Sequence, residues 1–423
     1  MRVLGQSGLY WIIITETYFC QNKILMNVVI NLLLFLLPIL SSLWIAQSFD
    51  PLSAYQPLQV IDGAALYRKE LTNGNKAYLQ VIDLGKMHID QIIGEVDNMG
   101  KNQGNYYKGE GGHYSPFFKT KLFSKVADEY QQLYANNVFS MINCSFFEQY
   151  QSSSQLSFPI KLNGVVISGG NSPYGPVKEP KDKYYSNIRL KALVWDEKQA
   201  YITNYDQVSG APLNQKAVKN AIVTYQYSDH PAKVLAQNQV NKYQVIGTLN
   251  KDGVKGDELL LIMTVNQTTL DEAADLLRKL GVKGEIITVD GGRSTYLFNA
   301  QKGNIIVPQL SNPQENPAFR HLPHYLGFRK KSKNQVAPKI LLSQPVSKVV
   351  ANKDQPYLIL WRDNFDGDVS IKLYYENKLI QNISSRTASD GVYEWTPRIP
   401  VNEGYFVRVS SSKDRNIFGQ LQF

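Results

Sequence analysis

Three short stretches of this 423-residue chain combine residue types that could do chemistry. Asp290-Gly291-Gly292-Arg293-Ser294 follows the apolar run Glu285–Val289. Asn143-Cys144-Ser145-Phe146-Phe147 follows a second run, Val138–Ile142, and Arg320 stands shortly before Pro323-His324 and the run Leu326–Arg329. Glycine permits close backbone approach and positive φ. A carboxylate beside two glycines at a strand end suits a general acid or base, or a cation ligand. The sequence does not choose between these, so a divalent cation stays open as a cofactor. A tight turn capped by the aspartate competes with both. Arg293 and Arg320 suit a phosphate, because the guanidinium fork matches its oxygens.

The five histidines add little on their own. Only His321 and His324 are close in sequence, and that spacing is weak evidence for a metal when most histidines satisfy a local hydrogen bond. There is no G-x-S-x-G, H-E-x-x-H or P-loop motif. The two cysteines, Cys20 and Cys144, exclude a disulfide scaffold and a four-thiolate zinc site.

The elements that must position these residues are partly legible. Thr269 and Glu272 form a capping box, Leu270, Ala273, Leu277 and Leu280 share one face, and Gly281 ends the helix. Leu259–Val265 before it and Glu285–Val289 after it read as buried strands, so a strand–helix–strand unit delivers Asp290 at a carboxyl end, where open α/β sheets place ligands. Phe117–Tyr134 has helical spacing, Ala77–Asp83 reads as a strand, and Asn98–Ser115 as a long loop. From Lys339 the chain alternates in short strands, such as Ser370–Tyr375 and Tyr405–Ser410, which predicts a small β-sandwich with Trp361 and Trp395 in its core.

Ile24–Ala46 is an uncharged, largely apolar run, long enough for a membrane anchor or a secretory signal peptide. Either places the rest of the chain outside the cytoplasm, with membrane contact only if the segment is uncleaved. The net charge of +9 owes five cations to Arg329, Lys330, Lys331, Lys333 and Lys339. Such a cluster reads as a solvated linker rather than a nucleic-acid arm.

Together these residues resemble the phosphodiester glycosidase family, whose pattern runs Asn-Gly-x-Phe-Phe, then Asp-Gly-Gly-x-Ser, then Arg-x-x-Pro-Asn. The order agrees over Leu66–Phe328. Cys144 replaces the first glycine, His324 replaces the last asparagine, and Tyr243–Gly247 lacks an arginine that the family commonly carries. The resemblance implies hydrolysis of a sugar-1-phosphodiester at its glycosidic C–O bond. Asp290 is then the base and Glu148 the candidate second carboxylate, with Asp83 and Asp97 behind it. Asn143, Ser145, Phe147, Gly291, Gly292, Arg293, Ser294, Arg320 and His324 would bind the substrate. The alternative is a glycan- or envelope-binding protein that kept the fold without catalysis. The C-terminal stretch resembles the fibronectin- or immunoglobulin-like module of wall-associated proteins.

The expected fold class is therefore α+β: a mixed twisted sheet with helices in the catalytic-type domain, plus the C-terminal β-sandwich. The expected segments are a targeting run (1–46), a tether (47–65), the glycosidase-like domain (66–329), a basic linker (330–338) and the sandwich (339–423).

Overall fold

The computed structural model describes residues 50–98, 116–150, 153–170, 188–234, 236–254, 256–309, 319–331, 336–344 and 350–423. The targeting run Ile24–Ala46, most of the expected loop Asn98–Ser115 and His113 lie outside them. Among the described residues no helix is long and apolar enough to cross a membrane. Two compact units are present, Met1–Ala54 and Tyr55–Phe423. Of the first, the described part is a short 3-10 turn, Asp50–Ala54.

The fold corrects the α+β expectation. The second unit is mostly β, built from several sheets whose strand pairs are all antiparallel among the described residues. The strand–helix–strand unit is where the expectation went astray. Leu259–Thr268 and Ile286–Val289 do not pair with each other. Asn241–Leu249 lies between them and pairs antiparallel with both. The helix Leu270–Lys279, with its Thr269–Glu272 capping box in place, packs on Leu259–Thr268 and Asn241–Leu249 and buries Leu270, Ala273, Ala274 and Leu277. The other long helix, Phe123–Tyr134, begins later than its spacing suggests. Phe117–Lys119 is a strand, so Phe118 is buried from a sheet.

Two sheets of this unit carry the elements around the candidate residues. The larger one holds, in order, Lys76–Asp83, Leu259–Thr268, Asn241–Leu249, Ile286–Val289 and Asn220–Gln226 at its centre. The second runs Gly303–Ile306, Leu297–Asn299, Val138–Asn143, His324–Lys330, Met87–Ile93. Their facing side chains form one core, with Leu66, Ile82, Leu260, Ile262 and Ile287 from the first against Phe139, Leu297, Leu326 and Phe328 from the second.

A polar seam runs through this apolar contact. Ser140 donates to Gln80, Gln244 donates to Asn143, and Thr264 donates to Gln244 at 3.3 Å. Thr224 Oγ1 donates to Thr288 O at 2.6 Å. These bonds offset most of the cost of burying the groups, although Gln80 Nε2 has no partner among the described residues.

The C-terminal strands form a three-stranded sheet (Ile340–Gln344, Tyr357–Asp363, Val392–Trp395) and a four-stranded one (Lys378–Ala388, Asp368–Tyr375, Tyr405–Ser411, Phe418–Gln422). Trp361, Trp395, Ile359, Ile371, Leu373, Val407 and Val409 fill the space between them. This region also grips the helix Phe123–Tyr134. Tyr134 Oη donates to Asp363 O at 2.7 Å, Asn364 Nδ2 to Leu133 O at 3.0 Å, and Arg362 meets Glu129 at 3.1 Å.

Candidate active site

Asp290 sits immediately beyond the strand Ile286–Val289, and Asn143 ends the strand Val138–Asn143 of the facing sheet. Two bonds tie these ends together: Asn143 Nδ2 donates to Asp290 O at 2.6 Å, and the Asp290 N–H donates to Cys144 O at 2.8 Å. Asn143 Oδ1 accepts from Gln244 and, at 2.8 Å, from the Tyr296 N–H. The buried amide of Asn143 is thus consumed in fixing the Asp290 loop to the sheet behind it.

Both glycines of this loop are required, for different reasons. A Cβ on Gly291 would stand 2.9 Å from Lys242 O and 3.4 Å from Tyr243 Cδ1. Gly292 has φ +60°, which an ordinary side chain disfavours. The loop lies on the strand Asn241–Leu249 because those side chains are missing.

Asp290 is half-buried, and desolvation by the protein around it pushes its pKa up to about 6. A hydrogen bond with Ser294, the Arg320 guanidinium and the Gly291 N–H oppose the shift. Arg320 is itself tied to this group, since its Nη1 donates to Ser294 Oγ at 2.9 Å and its guanidinium lies 4.7 Å from the centre of the Phe147 ring. A carboxyl with elevated proton affinity and a braced cation share the buried hydroxyl of Ser294. Phe319, packed edge-on against Phe123 at 5.3 Å, and the bridge between Leu322 and Lys121 fix the chain on either side of Arg320.

The remaining candidates are placed as follows. Ser145 Oγ lies 2.7 Å from His324 Nδ1, and both residues are buried. Burial pushes the His324 pKa down to about 3. The Cys144 thiol is driven far above its ordinary value by burial, so it is no nucleophile. Arg293 is exposed, with its carbonyl accepting from the Gln309 N–H at 2.8 Å. Glu148 is exposed on the hairpin Phe147–Tyr150/Ser153–Leu156, opposite Gln155. Successive strand residues face opposite ways, so Glu148 points away from the side on which Phe147 meets Arg320. Asp83 is buried elsewhere, accepting from the Gly85 N–H at 2.9 Å and from Lys251 at 2.9 Å. Among the described residues no cluster of three or more His, Cys, Asp or Glu side chains is arranged to hold a metal ion.

Sequence reasoning missed an aromatic wall beside the loop. Phe146 packs on Tyr225 (5.2 Å between centroids), Phe158 (6.1 Å) and His230 (5.4 Å). His230 also meets Tyr243 at 6.3 Å. His230 Nδ1 accepts from the Ala232 N–H at 3.1 Å, and burial lowers its pKa to about 4, so the ring is neutral. Tyr243, at the place where the resembling pattern carries an arginine nearby, donates to Gln239 O at 2.6 Å and supports Gly291. The one sequence signal was Tyr243, which opens the stretch lacking the arginine of the resembling pattern; nothing marked His230 or Tyr225.

No family model matches the chain, and no curated protein matches it in sequence. Solved structures give a distant structural resemblance. One is the zebrafish N-acetylglucosamine-1-phosphodiester alpha-N-acetylglucosaminidase catalytic domain auto-inhibited by its pro-peptide, at 12% identity and TM-score 0.38, covering 63% of this chain and 82% of that one. A hypothetical protein from Synechocystis matches at 10% identity and TM-score 0.37, over 66% of this chain and 64% of that one. A putative exported protein from Burkholderia pseudomallei matches at 11% and 0.33, over 60% and 74%. At these levels the likeness is one of distant shape alone.

Proposed function

We propose that this chain is a hydrolase of sugar-1-phosphodiesters, cleaving the glycosidic C–O bond of a glycan or envelope component outside the cytoplasm. The uncharged run Ile24–Ala46 would deliver it there. The observation that carries the reading is the joint placement of Asp290 and Arg320 around Ser294 at the carboxyl end of a strand. A carboxyl with a pKa near 6 is largely ionised at neutral pH and remains basic enough to take a proton from water. Water would attack the anomeric carbon while the C1–O bond breaks. The water proton passes to Asp290, and the bonding pair leaves with the phosphomonoester. That leaving group is already anionic, so it needs a cation more than a proton, and Arg320 supplies one.

The purified full-length protein should hydrolyse the methyl phosphodiester of N-acetylglucosamine 1-phosphate, or a relative in a panel of sugar-1-phosphodiesters, with kcat/KM rising through about pH 6 to a plateau. No turnover across the panel would sink the reading. The competing reading, a glycan-binding protein, is favoured by one observation: Glu148, the candidate second carboxylate, faces outward and away from the side on which Phe147 meets Arg320. Saturable glycan binding without turnover would favour it.

A further inference from the structure

The pair Ser145–His324 takes no part in the hydrolysis just described, yet its geometry restricts where its protons can be. Only 1% of His324 is exposed, and the lowered pKa leaves its ring neutral, with a single N–H. Its Nδ1 lies 2.7 Å from Ser145 Oγ, whereas Nε2 has no hydrogen-bond partner among the described residues. Two tautomers are open. With the proton on Nε2, a buried N–H donor is orphaned, and Ser145 spends its own proton on Nδ1. With the proton on Nδ1, the ring donates to Ser145 Oγ, and the bare Nε2 is merely an unsatisfied acceptor. Orphaned buried donors are the rarer case, and an unmade buried hydrogen bond costs about 1–3 kcal/mol. The second tautomer is favoured.

The consequence falls on Ser145. Its oxygen accepts from His324, so its hydroxyl proton is left to be given elsewhere. Its backbone neighbour ties it to the Asp290 loop. Cys144, the preceding residue, accepts from the Asp290 N–H at 2.8 Å and donates its own N–H to His324 O at 3.1 Å. Ser145 is thereby held between the Asp290 loop and the strand His324–Lys330. The Ser145 hydroxyl is hydrogen-bonded to the adjoining Cys144 side chain, a neutral thiol and a weak acceptor. An anionic oxygen brought to the Asp290–Arg320 site is a far better one.

We propose that His324, as its Nδ1–H tautomer, is a positioning residue that makes the Ser145 hydroxyl a donor to an anionic oxygen of the bound substrate. The identity of that substrate rests on the hydrolase reading; the tautomer does not. A negatively charged substrate thus meets a neutral donor in addition to Arg320, without a second charge having to be buried.

The test has two arms. In full-length protein labelled with 15N-histidine, long-range 1H–15N correlations at pH 7.5 should show His324 protonated on Nδ1, with a pattern that shifts in Ser145→Ala. Protonation on Nε2, or on both nitrogens, overturns the proposal. The second arm is kinetic, on the methyl phosphodiester of N-acetylglucosamine 1-phosphate. Asparagine can present an amide N–H at the same number of bonds from Cα, so His324→Asn should keep kcat within about threefold of wild type. His324→Leu, which cannot donate, should lower kcat by about tenfold or more, and adding Ser145→Ala should lower it no further. Independent, multiplying losses from the two positions overturn the proposal. Should the wild type turn over nothing, the hydrolase reading falls, while the nitrogen spectrum still decides the tautomer.

Discussion

Asp290 and Asp363 are both pushed up to a pKa of about 6 by burial, one in the region between the two facing sheets and one in the C-terminal strands. Their surroundings differ. Asp363 is satisfied by its own neighbourhood: Oδ2 accepts from Trp361 Nε1 at 3.0 Å and Ser389 Oγ at 2.6 Å. Asp290 shares its hydroxyl partner Ser294 with the cation Arg320 and sits on a loop kept close to the sheet by two glycines. The cores behind them differ likewise. Trp361, Trp395, Ile371, Leu373 and Val407 make an apolar filling, whereas Asn143, Gln244, Thr264, Ser140 and Gln80 thread hydrogen bonds through the other contact. A raised pKa alone therefore does not mark a site; one joined through a shared hydroxyl to a cation at the end of a polar seam is a better guide.

The largest effect should come from the apolar side. Trp395 is buried against Tyr357 and Phe423, and its indole N–H has no partner among the described residues, so Trp395→Ala removes packing alone. A loss of about 3–5 kcal/mol in denaturant unfolding is expected, with the turnover of the folded protein unchanged. If turnover falls while the protein stays folded, the two regions are coupled and the contrast drawn above is wrong.

Next comes the carboxyl pair itself. Asp290→Asn should cut turnover about 10²-fold or more. Asp363→Asn should leave it within about twofold, because that carboxyl is engaged by Trp361 and Ser389 of the C-terminal region, away from the Asp290 loop. Both variants should remain folded by circular dichroism. An Asp290→Asn enzyme with near wild-type turnover would make Asp290 a structural turn residue and move the protein toward the binding reading.

The same contrast explains what could be read in advance. The helix Leu270–Lys279 was legible because a capping box, an apolar face and a glycine stop all agree at one place. The strands flanking it were legible as strands, but their partner was not. Asn241–Leu249, inserted between them, is a non-local pairing, and no local pattern reports that Val245 will lie between Met263 and Thr288. That insertion is what makes the unit antiparallel rather than wound like an α/β sheet. Asn143, Asp290, Ser294 and Arg320 stood out by type and position at strand ends. The seam behind them did not, because Gln244, Thr264 and Thr288 look like the outward residues of half-exposed strands until two sheets are stacked face to face. His230 and Tyr225 join the wall only through tertiary packing on Phe146.

A smaller effect follows from the seam. Asn143→Ala would strand the Tyr296 N–H and the Asp290 carbonyl inside the protein. Buried groups left unpaired cost about 1–3 kcal/mol, and the Asp290 loop should loosen with them. Hydrogen exchange at the Tyr296 amide should accelerate relative to that of Val407 in the C-terminal strands. Unchanged exchange and unchanged stability would show that Asn143 does not hold the loop.

The smallest effect is a cancellation in the pH dependence of stability. His324 and His230 have folded pKa values of about 3 and about 4, below the ordinary value of 6.5. Between about pH 4 and 6 the unfolded chain binds more protons at these two positions, so their contribution rises with pH. Asp290 and Asp363 act in the opposite sense. Their folded pKa of about 6 lies above the ordinary 3.8, the folded chain holds the extra protons in that window, and stability falls as pH rises through it. The contributions of these four groups oppose one another in pairs and largely cancel between about pH 4 and 6. Asp363→Asn removes one falling term without touching the site, and stability should then climb with pH more steeply than in the wild type by about 1 kcal/mol per unit, the free energy attached to one proton per pH unit. Urea unfolding at pH 4.5, 5.0 and 5.5 for both proteins reads this directly. A wild-type profile as steep as that of the variant would mean that Asp363 is ionised throughout the window. The likeness between the two carboxyls would then fail, and Asp290 would be the one held near pH 6.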